Sequence, residues 1–442
     1  MTRRPADDAP SRRDFLTRAV GLSVGVVAAA GCKDGARSTG PAHSPDARPS
    51  PPRVVDAGAV RVADAAVVVE PYQPPRWATM FRGDAARRFN GRGALSTDLV
   101  VKWRYKTESY YTGLRRGGTY RWTGTGWTGQ AAVVDGRVIF GSLDRFLYCL
   151  DERTGKKYWR AMGGRMWKSS PCVAGGRVYC GNVDGGLHCI DLKTGMRRWR
   201  YRTERSIDSS PVVVGDRLYV GTETGHAVCL DPRTGKPIWD TYVGGKEGEP
   251  GGSGCESSPA VVGDRLYIGC WDGYLYCLDR QRGKVIWRAR TYHDTDSTPV
   301  VVGDRIFVGS ESSFVFCFDR RTGKERWRFK TGKGIWATPA YAGGRIYIGS
   351  DDRIMYCLEA TTGTLIWAQP VGDGVWSSAA VVDGKVVFGS FDGRLRMLAA
   401  DTGRLLWQHR TRGPVVSTPT VLDGSVYIGS RDGYFYKFGP RA

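Results

Sequence analysis

Short apolar runs punctuated by glycine-containing turns recur along most of the chain. In one unit Ser210-Pro211 leads into Val212-Val213-Val214, a Gly215-Asp216 turn and the run Arg217 to Gly221; a second turn, Ala227 to Asp231, Thr234-Gly235 and Trp239 follow. Runs of this length, rich in β-branched and aromatic residues and bounded by turn residues, predict strands rather than helices. Gly141, Gly181, Gly221, Gly269, Gly309, Gly349, Gly389 and Gly429 each close such a run, at spacings of 40, 40, 48, 40, 40, 40 and 40. A second anchor, Thr-Gly with Trp four residues on, gives Gly155/Trp159, Gly195/Trp199, Gly235/Trp239, Gly323/Trp327, Gly363/Trp367 and Gly403/Trp407, with Arg282-Gly283/Trp287 as a variant.

A period near 40 with four short strands per unit predicts an all-β, eight-bladed β-propeller with four-stranded blades. The eighth unit stops after Tyr434-Phe435-Tyr436-Lys437-Phe438 and lacks a fourth strand. Leu99-Val100-Val101-Lys102-Trp103 supplies it, so an N-terminal strand around Trp103 completes the C-terminal blade and leaves no open edge. One structural docking tryptophan then falls to each blade: Trp103, Trp159, Trp199, Trp239, Trp287, Trp327, Trp367 and Trp407.

The chain has 442 residues and 41% hydrophobic content with 15 Trp and 21 Tyr, which excludes wholesale disorder. No apolar run is long enough for a polytopic helical membrane protein. The formal charge of +21 points to anionic surroundings and says nothing of fold.

Residues 1–31 resemble a twin-arginine export signal: Ser11-Arg12-Arg13-Asp14-Phe15-Leu16 precedes a mild apolar stretch from Ala19 to Ala30. Ala29-Ala30-Gly31-Cys32 resembles a lipobox, with Cys32 as the lipidated residue; cleavage near Ala28 to Ala30 without lipidation is the competing reading. Residues 32–76, rich in Pro, Ala, Asp and Arg, read as a disordered tether, and 77–442 as the propeller. The chain is thus expected to be exported to the periplasmic side of a bacterial envelope and lipid-anchored, with no nucleic-acid partner.

Cys229-Leu230-Asp231-Pro232-Arg233-Thr234-Gly235-Lys236-Pro237-Ile238-Trp239 and its siblings resemble the tryptophan-docking motif of PQQ-like (quinoprotein-type) propellers, with Cys for the usual Ala in six blades. Trp77-Ala78-Thr79-Met80-Phe81-Arg82-Gly83-Asp84 is similar to the lead-in of the same repeat proteins. The resemblance covers residues 77–438 and implies kinship with outer-membrane assembly lipoproteins of the BamB type.

In each blade the first strand starts, the second ends, the third starts and the fourth ends on one side, the mouth. Both length anomalies, around Glu108 to Thr125 and Lys246 to Gly254, fall there and make it the expected recognition face. The residue three before each Ser-Pro proline position rings the channel: Thr128, Lys168, Asp208, Glu256, Asp296, Trp336, Trp376 and Val416. An acidic arc beside two tryptophans is a candidate site for a cation, an amine or a metal; capped strands facing water, or tryptophans packed between blades, are the plain alternatives. The opposite face carries Arg137, Arg177, Arg217, Arg265, Arg305, Arg345 and Lys385 at one repeat position, which reads as solvation or contact with anionic polymers.

Cys149, Cys189, Cys229, Cys277, Cys317 and Cys357 occupy equivalent positions in successive blades, too far apart for disulfides, and read as small buried hydrophobes. Cys180/Cys189 and Cys255/Cys270 stay open as bonded pairs. Quinoprotein dehydrogenases of this fold use a quinone with Ca²⁺ and a vicinal Cys-Cys pair; no adjacent cysteines and no Cys-x-x-Cys-His occur here. The expected function is a non-catalytic scaffold with no catalytic residue, metal or cofactor, binding envelope or outer-membrane proteins through the mouth loops as a monomer within a complex. The alternatives are a PQQ/Ca²⁺ dehydrogenase with Asp208, Glu256 or Asp296 as metal ligands, and a glycan-binding propeller using Trp336 and Trp376.

Overall fold

The computed structural model describes residues 78–113, 119–125, 129–245 and 254–441. Contacts divide the chain into Met1–Ala65 and Ala66–Ala442, and the first unit lies wholly outside the described residues, as do Arg12, Arg13, Cys32, the leader and the tether. Within the described residues the structure is all-β: eight four-stranded antiparallel sheets and one extra hairpin.

Seven blades are sequential meanders, such as Ala132–Val134, Arg137–Gly141, Phe146–Asp151 and Lys157–Met162 in blade 1. The eighth closes as the sequence predicts. Strand β1 (Leu99–Lys106) pairs antiparallel with Tyr434–Pro440, from Leu99 opposite Pro440 to Lys106 opposite Tyr434. Between β1 and blade 1 lies a hairpin, β2 (Ser109–Gly113) with β3 (Thr119–Thr123), which accounts for the larger insertion.

The second and third strands of each blade are buried and the outer strands alternate, which places the cores between blades. Seven of the eight docking tryptophans, all but Trp407, lie on the next blade's turn glycine. A Cβ on Gly235 would sit 2.6 Å from the Trp199 ring, and Gly235 has φ +72°, so glycine is required there twice over. Trp199 Nε1 donates to Pro232 O at 3.2 Å, and Trp407 Nε1 donates to Leu99 O at 3.1 Å to seal the ring. Trp287 is the exception, with a buried indole N–H that finds no acceptor.

The six repeated cysteines face these tryptophans across the third and fourth strands, as Cys229 does Trp239, where a small side chain admits the indole. All six are buried and free, and burial pushes their thiols up, to about 12 for Cys149 and Cys317. Cys180 and Cys189 are free, and Cys255–Cys270 is a disulfide with Cα atoms 4.4 Å apart. The arginines of the opposite face depart from simple solvation. Arg217, Arg265 and Arg345 reach the next blade's turn carbonyls at Gln281, Arg321 and Ala400, and so staple neighbouring blades.

The channel holds part of the chain itself. Ala78 forms an antiparallel bridge with Val133, so the chain climbs from the turn face towards the mouth. Ala85 O and Ala86 O accept from Val261 and Val301 N–H, and the chain then descends to a parallel bridge between Arg92 and Leu422. At its tip Arg82 donates to Ala379 O (2.6 Å) and Thr338 O (2.9 Å), and Arg87 to Pro259 O (2.9 Å) and Ser210 O (3.1 Å). Each guanidinium is 1% exposed; burial lowers their pKa values, to about 9 for Arg82 and about 10 for Arg87, which leaves both charged at neutral pH.

Candidate functional site at the channel mouth

The carbonyls held by Arg82 and Arg87 open the inner strands, and the predicted ring residues lie two or three positions before them. The plug is therefore the floor of the mouth. Above it Lys168 Nζ meets Asp208 Oδ2 at 3.0 Å, with side chains 8% and 4% exposed. Carboxylate oxygens of Asp208, Glu223 and Glu256 all lie within 4.8 Å of one another. Lys168, Asp208 and Glu256 are thus brought together, joined by Glu223 from the turn between the second and third strands. A lysine and three carboxyl groups are thus gathered in a buried place, a set of oxygen donors suited to a cationic or amine-bearing guest.

Asp296 is turned aside and accepts from Trp271 Nε1 at 2.9 Å. Trp336 and Trp376 stack on each other, centroids 4.6 Å apart and planes 19° from parallel, with Phe391 edge-on to Trp376 at 4.7 Å. Both indoles are 8% exposed, so their faces are turned to each other rather than to a guest. Trp376 Nε1 also donates to Asp351, whose carboxyl burial pushes up to about 6. Val416 is buried at the blade 8 position, and Thr128 lies outside the described residues.

Sequence reasoning found the ring before the inner strands and missed a second one. Glu223, Trp271, Glu311, Asp351 and Phe391 occupy one repeat position in the turn after the glycine anchors, two residues beyond Gly221, Gly269, Gly309, Gly349 and Gly389. That spacing is the signal that would have found them. The disulfide fastens Cys255, beside Glu256, to Cys270, beside Trp271, and so fixes two arc residues to each other.

The hairpin lies over one side of this mouth. Trp122 packs on Leu143, Met166 and Val183 and donates through Nε1 to Thr112 Oγ1 at 2.9 Å, while Arg145 stands over the Tyr110 ring at 4.5 Å. Tyr111, at 57%, and Arg121 stay exposed. Of the second insertion, residues 246–253 lie outside the described residues.

Fold and repeat define the class: an eight-bladed propeller of PQQ-like repeats. The family described as outer membrane protein assembly factor BamB matches residues 101–328, 271–374 and 354–440, and the chain belongs to it. No curated protein matches the chain by sequence. Among solved structures, BamB from Moraxella catarrhalis is 18% identical with TM-score 0.62, over 77% of this chain and 99% of that one. A europium-containing methanol dehydrogenase is 14% identical with TM-score 0.68, over 83% of this chain and 98% of that one. Quinohemoprotein alcohol dehydrogenase from Comamonas testosteroni is 16% identical with TM-score 0.70, over 84% and 82%. At such identities the likeness is one of fold alone.

Proposed function

We propose that this protein is a non-catalytic binding and assembly scaffold of the bacterial envelope that takes its partner at the channel mouth. The observation carrying this reading is the hairpin of β2 and β3, anchored through Trp122 over blades 1 and 2 with Tyr111 and Arg121 presented outward. An exposed aromatic and a guanidinium on a braced hairpin suit protein recognition, where rigid amphipathic side chains contribute most. The family supports an assembly role, and the export-like leader with Cys32 supports placement on the periplasmic side under a lipid anchor.

A photo-crosslinking side chain at Tyr111 is expected to capture an envelope protein in cells, and the same group at Thr361, on the opposite face, none. Equal capture at both positions, or capture at Thr361 alone, would contradict the reading.

The second reading, a quinone-dependent dehydrogenase, draws on the Asp208/Glu223/Glu256 cluster, since three carboxylates are oxygen donors suited to Ca²⁺. The residues as they stand do not fit it. The Lys168 ammonium already lies 3.0 Å from Asp208, and the stack closes one face of each of Trp336 and Trp376 to a planar quinone. No step is therefore derived through such a group.

A further inference from the structure

The turns between third and fourth strands are not alike around the ring. Flanking the Thr-Gly pair, blade 1 carries Arg153 and Lys156, blade 3 Arg233 and Lys236, and blade 5 Arg321 and Lys324; blade 6 has Thr361 and Thr364 instead. Those six cations are exposed, and among the described residues none but Arg233, 3.9 Å from Asp231, is in an ion pair. Asp319, which opens the blade 5 turn, is held within the turn, accepting from Thr322 N (2.8 Å) and Thr322 Oγ1 (2.8 Å). These cations, with Lys193 of blade 2 and Lys284 of blade 4, outline a sector from blade 1 to blade 5 on the face opposite the mouth, interspersed with exposed Asp135, Asp216 and Asp264; blade 7 carries Arg404 alone at these positions.

The chain enters the channel from this same face, because Ala78 runs antiparallel to the inner strand of blade 1. Seventy-seven residues precede Ala78, including the apolar stretch Ala19 to Ala30 and Cys32. The described chain therefore begins at the face that carries the cationic turns. Exposed Tyr158 (51%) and Met196 (70%), beside the turns of blades 1 and 2, add side chains suited to a headgroup region.

We infer that the turn face of blades 1–5 docks on an anionic lipid surface, which holds the mouth away from the membrane. Basic residues near such a surface act together and are screened by salt. The inference concerns the face opposite the mouth, so it stands or falls separately from partner capture by the hairpin.

Vesicle flotation of the full chain carrying Cys32→Ser, which removes any acyl anchor, tests it. The chain is expected to float with phosphatidylglycerol-containing vesicles and not with pure phosphatidylcholine, and to be released by salt. The combined variant Arg153→Gln, Lys156→Gln, Arg233→Gln, Lys236→Gln, Arg321→Gln and Lys324→Gln, with an unchanged melting curve, should lose at least about tenfold in affinity; the leader's arginines are common to both chains. Equal binding by the variant, equal binding to both vesicle types, or salt-independent binding would overturn the proposal. So would preferential capture by a soluble polyanion such as heparin over the charged vesicles.

Discussion

Two sets of buried cations stand one above the other in the channel. Arg82 and Arg87 in the plug spread their donors over backbone carbonyls of blades 3, 4, 6 and 7, whereas Lys168 in the mouth faces acidic side chains. Depth is similar, and chemistry is not. A guanidinium bonded to fixed carbonyls is a structural staple, since nothing about its partners can be exchanged. Lys168 beside Asp208, Glu223 and Glu256 belongs to a cluster of side chains, whose partners can be exchanged for a guest.

The largest effect should come from breaking the staple. Arg87→Ala orphans the carbonyls of Pro259, Phe81 and Ser210 inside the channel and should cost more than about 3 kcal/mol, read as a lowered urea midpoint, with Arg82→Ala similar. Lys168→Gln, which strips the carboxylate cluster of its cation, should cost about 3 kcal/mol at neutral pH, and adding back a small amine or a divalent ion should restore part of the loss. No such rescue is expected for Arg87→Ala, and that asymmetry separates staple from site.

Removing the disulfide by Cys255→Ser with Cys270→Ser frees a link of sequence separation 15 and should lower stability by about 3 kcal/mol, as measured by melting. A finer comparison uses the docking tryptophans. Trp327→Phe loses a bond to Ala360 O at 3.1 Å and should cost about 1 kcal/mol more than Trp287→Phe, whose indole N–H has no acceptor to lose.

The smallest effect is a titration. Burial raises the Asp351 carboxyl to about 6 against an ordinary 3.8, so the folded state favours its protonated form. That contribution is complete below about pH 4 and is lost as pH rises through about 6. Tryptophan fluorescence should change with a midpoint near 6, because Trp376 donates to this carboxyl, and Asp351→Asn should shrink the transition to what Asp272, raised to about 6 beside Trp271, contributes.

The fold was legible because glycine and tryptophan spacing is dictated by geometry that every blade repeats. Gly235 admits no Cβ beneath Trp199, so the pair recurs, and the unmatched Trp103 revealed the closing strand. The plug was not legible. Residues 78–92 have no strand period, and most of their partners are backbone N–H and C=O groups, which carry no sequence signature. Three of the four clustered residues were legible: numbering back from the prolines found Lys168, Asp208 and Glu256, but that count contains nothing about Glu223, which arrives from another turn. Cys255 and Cys270 were open as a pair because the loop between them sets their approach.

The most direct test of the scaffold reading is calorimetric titration of pyrroloquinoline quinone, with Ca²⁺ present, into the purified protein. The account predicts no binding, since Lys168 already pairs with Asp208 and Trp336 already stacks on Trp376. One-to-one binding at micromolar or tighter affinity would contradict it and place the dehydrogenase reading first.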